Sequence, residues 1–188
     1  MCIRPARPSD AHAAARLILA AFDSIIQHYS GEELNEDYRA VWLEDWFQQP
    51  NNRFSYQQVL VKEVEGQVVG AILLYHGSEA AALDRPINEY LRRLRNDPNA
   101  ALEPEADLDE YYIDSLSVSP AFSGRGYGTA LIQAAEKKAQ ELHYHKIALN
   151  VEQDNERAYR LYQHLGYHTD KQRTLYGEPF DHMVKYLN

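Results

Sequence analysis

Three glycines at alternate positions, Gly124, Gly126 and Gly128, lie between an apolar run and an apolar helical pattern in the stretch VSPAFSGRGYGTALI. Glycine permits unusual backbone angles and carries no side chain, so successive N–H groups can point at an anion against a helix N-terminus. A phosphate or pyrophosphate would suit such a loop. The alternative is a turn whose glycines only let the helix pack closely, and the loop alone leaves both interpretations open.

Two familiar phosphate-binding loops do not match this spacing. A P-loop carries Lys followed by Ser or Thr after its last glycine, whereas Gly128 is followed by Thr129 and Ala130. The dinucleotide fingerprint has the spacing G-x-G-x-x-G close to its strand, whereas this loop reads G-x-G-x-G and five residues separate Val118 from Gly124. The spacing therefore argues against a dinucleotide-binding oxidoreductase.

Asp114 is the leading candidate for a proton acceptor. It lies in the strand-like segment YYIDSLSV, where a period of two predicts that it shares a face with Tyr112, Leu116 and Val118. Burial on this largely apolar row would raise the pKa of its carboxyl group toward the range of a general base. The alternative is a structural Asp, satisfied by the backbone or by a nearby Arg.

Strand-like and helix-like patterns alternate around these residues. Helices are predicted over 10–29, over about 32–48, over 128–142 and after Asn155, and strands over 111–118 and 146–151, with hairpins turning near Glu65-Gly66 and Gly177-Glu178. Between 77 and 109 the pattern is broken by three prolines around a short helical stretch, INEYLRRLR. This segment is predicted to be an insertion between core strands.

Two separated motifs carry a resemblance to a known family. LSVSPAFSGRGYGTALI resembles the acyl-CoA loop of the GNAT superfamily of N-acyltransferases, Gln/Arg-x-x-Gly-x-Gly/Ala after a central strand, with Gly126 and Gly128 at the two later glycines. Ser123 departs from the usual Gln or Arg, and Arg125 offers a charge two positions on. LNVEQDNERAYRLYQHLGYH is similar to the second signature of the family. The resemblance implies one α/β domain over 1–188, with a mixed, mostly antiparallel central sheet flanked by helices and an insertion at 77–109.

The resemblance also implies contacts with acetyl-CoA. The pantetheine arm would pair with the backbone of Leu116, Ser117 and Val118, and Asn155 and Ala158 would line its other side. The pyrophosphate would be held by the loop residues Ser123, Gly124, Arg125, Gly126, Tyr127, Gly128 and Thr129. Tyr162 matches the tyrosine that protonates the departing thiolate as a general acid. Its alternative is a core tyrosine with a satisfied hydroxyl, because it lies on the apolar stripe of its helix.

The activity implied is N-acetyl transfer from acetyl-CoA to a primary amine of a small molecule or peptide, by direct attack in a ternary complex. A non-catalytic acyl-CoA sensor or interaction module is the alternative. Tyr29, Tyr112 and His182 are candidates for the acceptor site, and Glu110 and His182 are reserve candidates for the base.

Composition limits the classes of binding partner and the cellular compartment that can be expected. The chain has 28 acidic and 19 basic residues, a formal net charge of −9, which favours a cationic acceptor and argues against nucleic acid. No segment has the apolar length of a membrane span, and the N-terminus lacks the pattern of a secretory signal, so a cytoplasmic protein is expected. A single cysteine and no ligand-spaced histidine cluster predict no metal. Oligomeric state is left open, with a homodimer among the options.

Overall fold

The computed structural model describes the backbone of residues 2–30 and 35–188 and the side chains of residues 2–21 and 35–188. Its helices are α1 (Ala11–Ser30), α2 (Glu36–Gln48), α3 (Ala80–Arg95), α4 (Tyr127–Glu141) and α5 (Glu156–His164). Its strands are β1 (Cys2–Pro5), β2 (Val59–Val64), β3 (Gln67–His76), β4 (Tyr111–Val118), β5 (Lys146–Glu152), β6 (His168–Leu175) and β7 (Glu178–Tyr186).

The strands form one sheet of seven, in the order β1-β2-β3-β4-β5-β7-β6. Neighbouring strands are antiparallel except β4 and β5, which run parallel at the centre of the sheet. The α/β fold with a mixed, mostly antiparallel sheet that the sequence predicted is confirmed. Among the described residues, no helix combines the length and apolarity needed to cross a bilayer.

Each face of the sheet carries its own hydrophobic core, because side chains alternate along a strand. In β3, Ala71, Leu73 and Tyr75 belong to the core under α1, α2 and α3. Ile72 and Leu74, between them in sequence, belong to the core under α4, with α5 packed against it. The sheet is thus covered by helices on both faces, and its centre is dry.

A β-bulge at Asp114 breaks the alternation in β4. Ser115 pairs with Leu73 and Ile113 pairs with Leu74, so Asp114 is the extra residue. Tyr112 and Asp114 therefore lie on the face of α1, whereas Leu116 and Val118 pack against the core on the opposite face. The prediction that these four residues share a face is wrong, because a period of two does not survive a bulge.

Residues 77–109 connect β3 to β4, two neighbouring strands. The helix in this segment is longer than predicted, because α3 begins at Ala80 rather than near Ile87 and includes Pro86. Proline removes one hydrogen bond from a helix interior. The bond lost here would have used the carbonyl of Ala82, an exposed residue whose carbonyl water can reach.

We expect Gly77→Ala to destabilise the fold through contact with this connecting segment. A Cβ atom at residue 77 would lie 1.7 Å from the backbone oxygen of Asp107, so the backbone itself would have to move. The expected loss is about 3 kcal/mol or more in the free energy of unfolding, measured by urea denaturation. An unchanged midpoint of denaturation would show that the chain near Asp107 is not held against Gly77.

Candidate functional site

A cleft opens where the parallel strands β4 and β5 separate. Their pairing runs only from Tyr111–Ile147 to Ile113–Leu149. Beyond that point the strands diverge around a cavity of ≈ 490 Å³. The cavity is lined by β4 from Tyr112 to Ser117, by β5 from Leu149 to Glu152, and by Ala20, Ala21, Glu105, Asn155, Ala158, Tyr162, Leu175 and Phe180.

The separation leaves one edge of β4 open. Leu116, Ser117 and Val118 pair with β3 on one side, and no described strand pairs with them on the other. Leu116 and Ser117 line the cleft. Free N–H and C=O groups along such an edge can bind an extended chain that carries amide groups.

The glycine loop lies between the end of β4 and the start of α4. Gly124 and Gly126 have φ of 72° and 75°, the left-handed region that favours glycine. Gly126 is the N-cap of α4 and contributes no side-chain cap. Gly128 has an ordinary φ, and a Cβ there would meet only Val118 Cγ2, at 4.0 Å. The backbone therefore explains the first two glycines, whereas the fold itself has room for a side chain at residue 128.

The charged side chain of the loop is turned toward its own segment. Arg125 is exposed, its guanidinium lies 5.1 Å from the Phe122 ring centroid, and its Nη2 donates to the Ala121 carbonyl at 3.4 Å. Lys62, from β2, lies over the ring of Tyr127 at 5.0 Å. Two cations thus lie beside the N-terminus of α4, where an anion would be stabilised.

Helix α5 forms one wall of the cleft. Asn155 caps it by accepting a hydrogen bond from the Ala158 N–H at 3.1 Å, and both residues line the cavity. The Tyr162 hydroxyl faces the same cavity, and burial raises its pKa to about 12. The hydroxyl therefore stays protonated near neutral pH, as a general acid requires.

Asp114 is one of the residues that line the cleft, and its carboxyl group points into the protein interior. Its side chain is fully buried, and its Oδ2 lies 3.5 Å from Arg53 Nη1. Neither carboxyl oxygen has a hydrogen-bond partner among the described residues. Burial, reinforced by the charge of Glu105 and opposed by Arg53, raises the pKa of Asp114 to about 8. A proton could reach this group only through an intervening donor or water.

Arg53 is bonded more closely to two other carboxylates. Its Nε and Nη2 donate to the two oxygens of Asp84 at 2.6 and 2.8 Å, and its Nη1 donates to Glu105 Oε1 at 2.7 Å. Asp84 and Glu105 both belong to the segment 77–109. Arg53 therefore links that segment to β4, where it also lies 3.5 Å from Asp114 Oδ2.

Glu105 joins this cluster to the cleft residues Tyr112 and Asn150. Its carboxylate also accepts from the hydroxyls of Tyr176, at 2.8 Å, and Tyr112, at 3.2 Å. Asn150 donates to the Glu105 carbonyl at 3.1 Å and to the Tyr112 hydroxyl at 2.9 Å, and its own Oδ1 is buried without a partner among the described residues. Tyr112 thus lines the cleft, as predicted for the acceptor site, within a nearly saturated network.

His182 is not brought to the cleft. Its ring is fully buried, with Nδ1 2.5 Å from Asp170 Oδ1 and Nε2 3.1 Å from Glu110 Oε1. Because a carboxylate occupies each ring nitrogen, neither nitrogen is free to contact a substrate. Glu110 is equally buried, within this network and away from the cavity lining. The side chain of Tyr29, the third acceptor-site candidate, lies outside the described residues.

One group of side chains has the composition of a metal site. Ligand atoms of Asp107, Glu110 and His182 lie within 4.8 Å of one another. Both oxygens of Asp107 are, however, bonded to cations, Lys171 and Arg173, and His182 Nε2 is bonded to Glu110. These atoms are engaged in ion pairs that join the segment 77–109 to β6 and β7.

Comparison with known proteins decides the family. The model of the acetyltransferase (GNAT) family matches residues 27–167. The chain belongs to the GNAT family. A curated relative, the uncharacterized N-acetyltransferase YdgE of Bacillus subtilis, is 31% identical over 87 residues, 43% of this chain and 55% of that protein. The match thus spans about half the length of this relative.

Solved structures of GNAT proteins share the fold. An N-acetyltransferase from Staphylococcus aureus is 28% identical, with a TM-score of 0.83 over 98% of this chain and 100% of that one. Another acetyltransferase is 29% identical, with a TM-score of 0.81 over 100% of both chains. The yncA protein of Salmonella typhimurium, solved with its cofactor acetyl-CoA, is 20% identical, with a TM-score of 0.58 over 100% of this chain and 94% of that one.

The GNAT signatures do not contain all the residues that shape this cleft. Arg53, Glu105 and Asn150 were not singled out by the sequence, because their importance depends on partners 31 to 52 residues away. Asn150 follows the apolar run of β5 and could have been noticed as a polar residue on a central strand. Nothing local distinguishes Arg53 or Glu105 from surface charges.

We expect His182→Gln to destabilise the protein by about 3 kcal/mol, because it would leave the buried Glu110 carboxylate without its imidazole partner. Urea denaturation measures this loss. His168→Gln, at an exposed position of β6, is the matched control and should change the free energy of unfolding by less than about 0.5 kcal/mol. Equal effects of the two substitutions would contradict the ion-pair role of His182.

Proposed function

We propose that this GNAT protein is an N-acetyltransferase that moves the acetyl group of acetyl-CoA to a primary amine, by direct attack in a ternary complex. The observation that carries the proposal is the open edge of β4 at the cleft, which continues into a glycine loop at the N-terminus of a helix. Acetyl-CoA has a pantetheine arm whose amides can pair with the strand edge, and a pyrophosphate that can bind the glycine loop.

The proposed contacts of the cosubstrate follow the order of its chemical groups. The pantetheine amides pair with Leu116, Ser117 and Val118, and Asn155 and Ala158 flank the arm. The pyrophosphate lies against the N–H groups of Ser123 to Thr129, with Arg125 turning toward it. Gly128 supports this placement, since a side chain there would meet no backbone of the protein. A GNAT structure solved with acetyl-CoA supports the choice of cosubstrate.

The charge of the cleft favours a cationic acceptor. Its described lining includes three acidic residues, Glu105, Asp114 and Glu152, and no Lys, Arg or His. An acceptor amine carries a positive charge at neutral pH and is attracted by Glu105 and Glu152, whereas the Asp114 carboxyl, with a pKa of about 8, is largely neutral there. A carboxylate or phosphate on the acceptor would find no cation on the described wall. A polyamine, an aminoglycoside or a lysine side chain has the required chemistry.

The reaction divides among three groups of the chain. Asp114 accepts a proton of the ammonium group through water, and the neutral amine then attacks the thioester carbonyl carbon. A backbone N–H of β4 near the bulge stabilises the oxygen of the tetrahedral intermediate. The carbon–sulfur bond breaks and Tyr162 protonates the thiolate. The nitrogen loses its second proton, which returns through water to the Tyr162 oxygen, and the products are the amide, free CoA and the proton held by Asp114.

Isothermal titration with acetyl-CoA tests the cosubstrate site, and Gly128→Ala is the decisive variant. The alanine should leave the free energy of unfolding unchanged or raise it by up to about 1 kcal/mol, since residue 128 lies in the first turn of α4. It should weaken acetyl-CoA binding about tenfold or more, because its methyl group occupies the path of the pyrophosphate. Wild-type protein that does not bind acetyl-CoA, or a variant that binds equally well, would overturn the placement.

Thiol release against a panel of spermidine, kanamycin and a lysine peptide tests turnover. With a panel amine that is acetylated, Tyr162→Phe should bind acetyl-CoA normally and lower kcat about 100-fold, because it removes only the hydroxyl that donates the proton. Tyr159→Phe, on the same helix with its hydroxyl 3.2 Å from Thr169 Oγ1, is the control. Acetyl-CoA binding without release across the panel would favour the acyl-CoA sensor.

A further inference from the structure

Four ionisable side chains, three with carboxyl groups and one with a guanidinium, are buried together beside the cleft. Arg53, Asp84, Glu105 and the Asp114 carboxyl all lie in the interior, with side-chain exposures of 3%, 9%, 4% and 0%. Three carboxyl groups share one guanidinium, so three ionised carboxylates would leave two uncompensated negative charges away from water. Such an arrangement is strongly disfavoured, and it is relieved when a carboxyl group holds a proton.

The geometry identifies the carboxyl group that holds the proton. Arg53 makes a two-pronged contact with Asp84 and a 2.7 Å hydrogen bond with Glu105, whereas its approach to Asp114 is 3.5 Å, longer than an ordinary hydrogen bond. Glu105 accepts two further hydrogen bonds, from Tyr112 and Tyr176, which stabilise its ionised form. Asp114 has none among the described residues.

We propose that Glu105 is a positioning residue for the acetyl transfer: it binds Arg53 Nη1 and places its own charge beside the buried Asp114 carboxyl, and so favours the protonated form of that group. The inference rests on the proposed function, in which Asp114 accepts the acceptor's proton. It adds that the segment 77–109, which supplies Glu105 and Asp84, sets the pH at which Asp114 can accept a proton.

Among the other groups that face Asp114, the Tyr75 hydroxyl favours the ionised carboxylate, as Arg53 does, but burial and the charge of Glu105 outweigh both and keep the pKa of Asp114 raised. Tyr75 and Tyr112 are buried beside it, and burial raises the pKa of both hydroxyls well above 10, so they stay neutral. Arg53 stays charged throughout. Burial raises the pKa of Asp84 as well, with Arg53 opposing, but its two hydrogen bonds to Arg53 favour its ionised form over that of Asp114.

Only the ionised form of Asp114 can accept a proton, and this fixes the direction of the expected pH dependence. Asp114 is inactive below its pKa of about 8 and becomes active as the pH rises through it. In Glu105→Gln the neighbouring negative charge is lost while the amide keeps the shape and an oxygen acceptor for Arg53. Ionisation of Asp114 then becomes easier, and its titration midpoint should fall by about one unit.

A carbon-13 NMR titration of the aspartate carboxyl carbons tests the electrostatic step without any acceptor. The Asp114 resonance is assigned by its loss in Asp114→Asn. Its titration midpoint should fall in Glu105→Gln. It should also fall in Asp84→Asn, which supplies the same readout if the first variant does not fold. It should stay unchanged in Glu89→Gln. Glu89 is an exposed residue of the same segment, so this control removes an equal charge from outside the cluster.

The kinetic test uses the panel amine that releases most thiol. The acid limb of kcat/KM against pH should coincide with the Asp114 midpoint in the wild type and shift with it in Glu105→Gln. An Asp114 midpoint that does not move, or moves upward, overturns the role of Glu105. A midpoint that moves while the acid limb stays in place shows that another group accepts the proton. Absence of turnover with every panel amine instead counts against the proposed function, and the NMR result is independent of it.

Discussion

The early end of the β4–β5 pairing is the constraint on which the rest of the cleft depends. Two parallel neighbours at the centre of a sheet would normally satisfy each other's backbone groups along their whole length. Here the pairing ends at Ile113–Leu149, and the next residue of β4 is the bulged Asp114. The bulge turns the Asp114 side chain toward α1 and leaves the following backbone facing the cavity. One irregularity thus creates both the open edge and the buried carboxyl group.

A carboxyl group in that position requires compensation, and the segment 77–109 supplies much of it. Arg53 approaches Asp114 from one side, but it is held there by Asp84 and Glu105, both contributed by the segment. A second network, built on Asp107 and on Glu110 with His182, fixes the end of the segment against β6 and β7. Buried ion pairs of this kind add little net stability, since desolvation offsets their attraction. We infer that their value here lies in fixing one position of the acceptor wall.

The sequence was sufficient for the fold and for the elements that carry backbone contacts. The glycine loop and the motif around Asn155 are local patterns, so their residues could be matched to the signatures of a known family, and the hairpins and central strands followed from periodicity. Asp114 was identified as a carboxyl group on an apolar strand, but the face on which it lies was predicted wrongly, because a bulge leaves no mark in a single sequence. His182 was a candidate for the acceptor site because the last hairpin could carry it there, with a structural histidine as the alternative, and the structure shows it between two carboxylates.

The residues that the sequence did not predict were missed for one physical reason. Glu105 lies in a proline-interrupted stretch where a charged residue ordinarily faces solvent, and only its four tertiary hydrogen bonds make it central. Arg53 likewise follows two asparagines in a turn. Desolvation shifts the pKa of a charged group, and it is a property of the assembled fold rather than of the segment that carries the group. Backbone chemistry in this family can therefore be located from sequence, whereas proton chemistry depends on contacts between segments far apart in the chain.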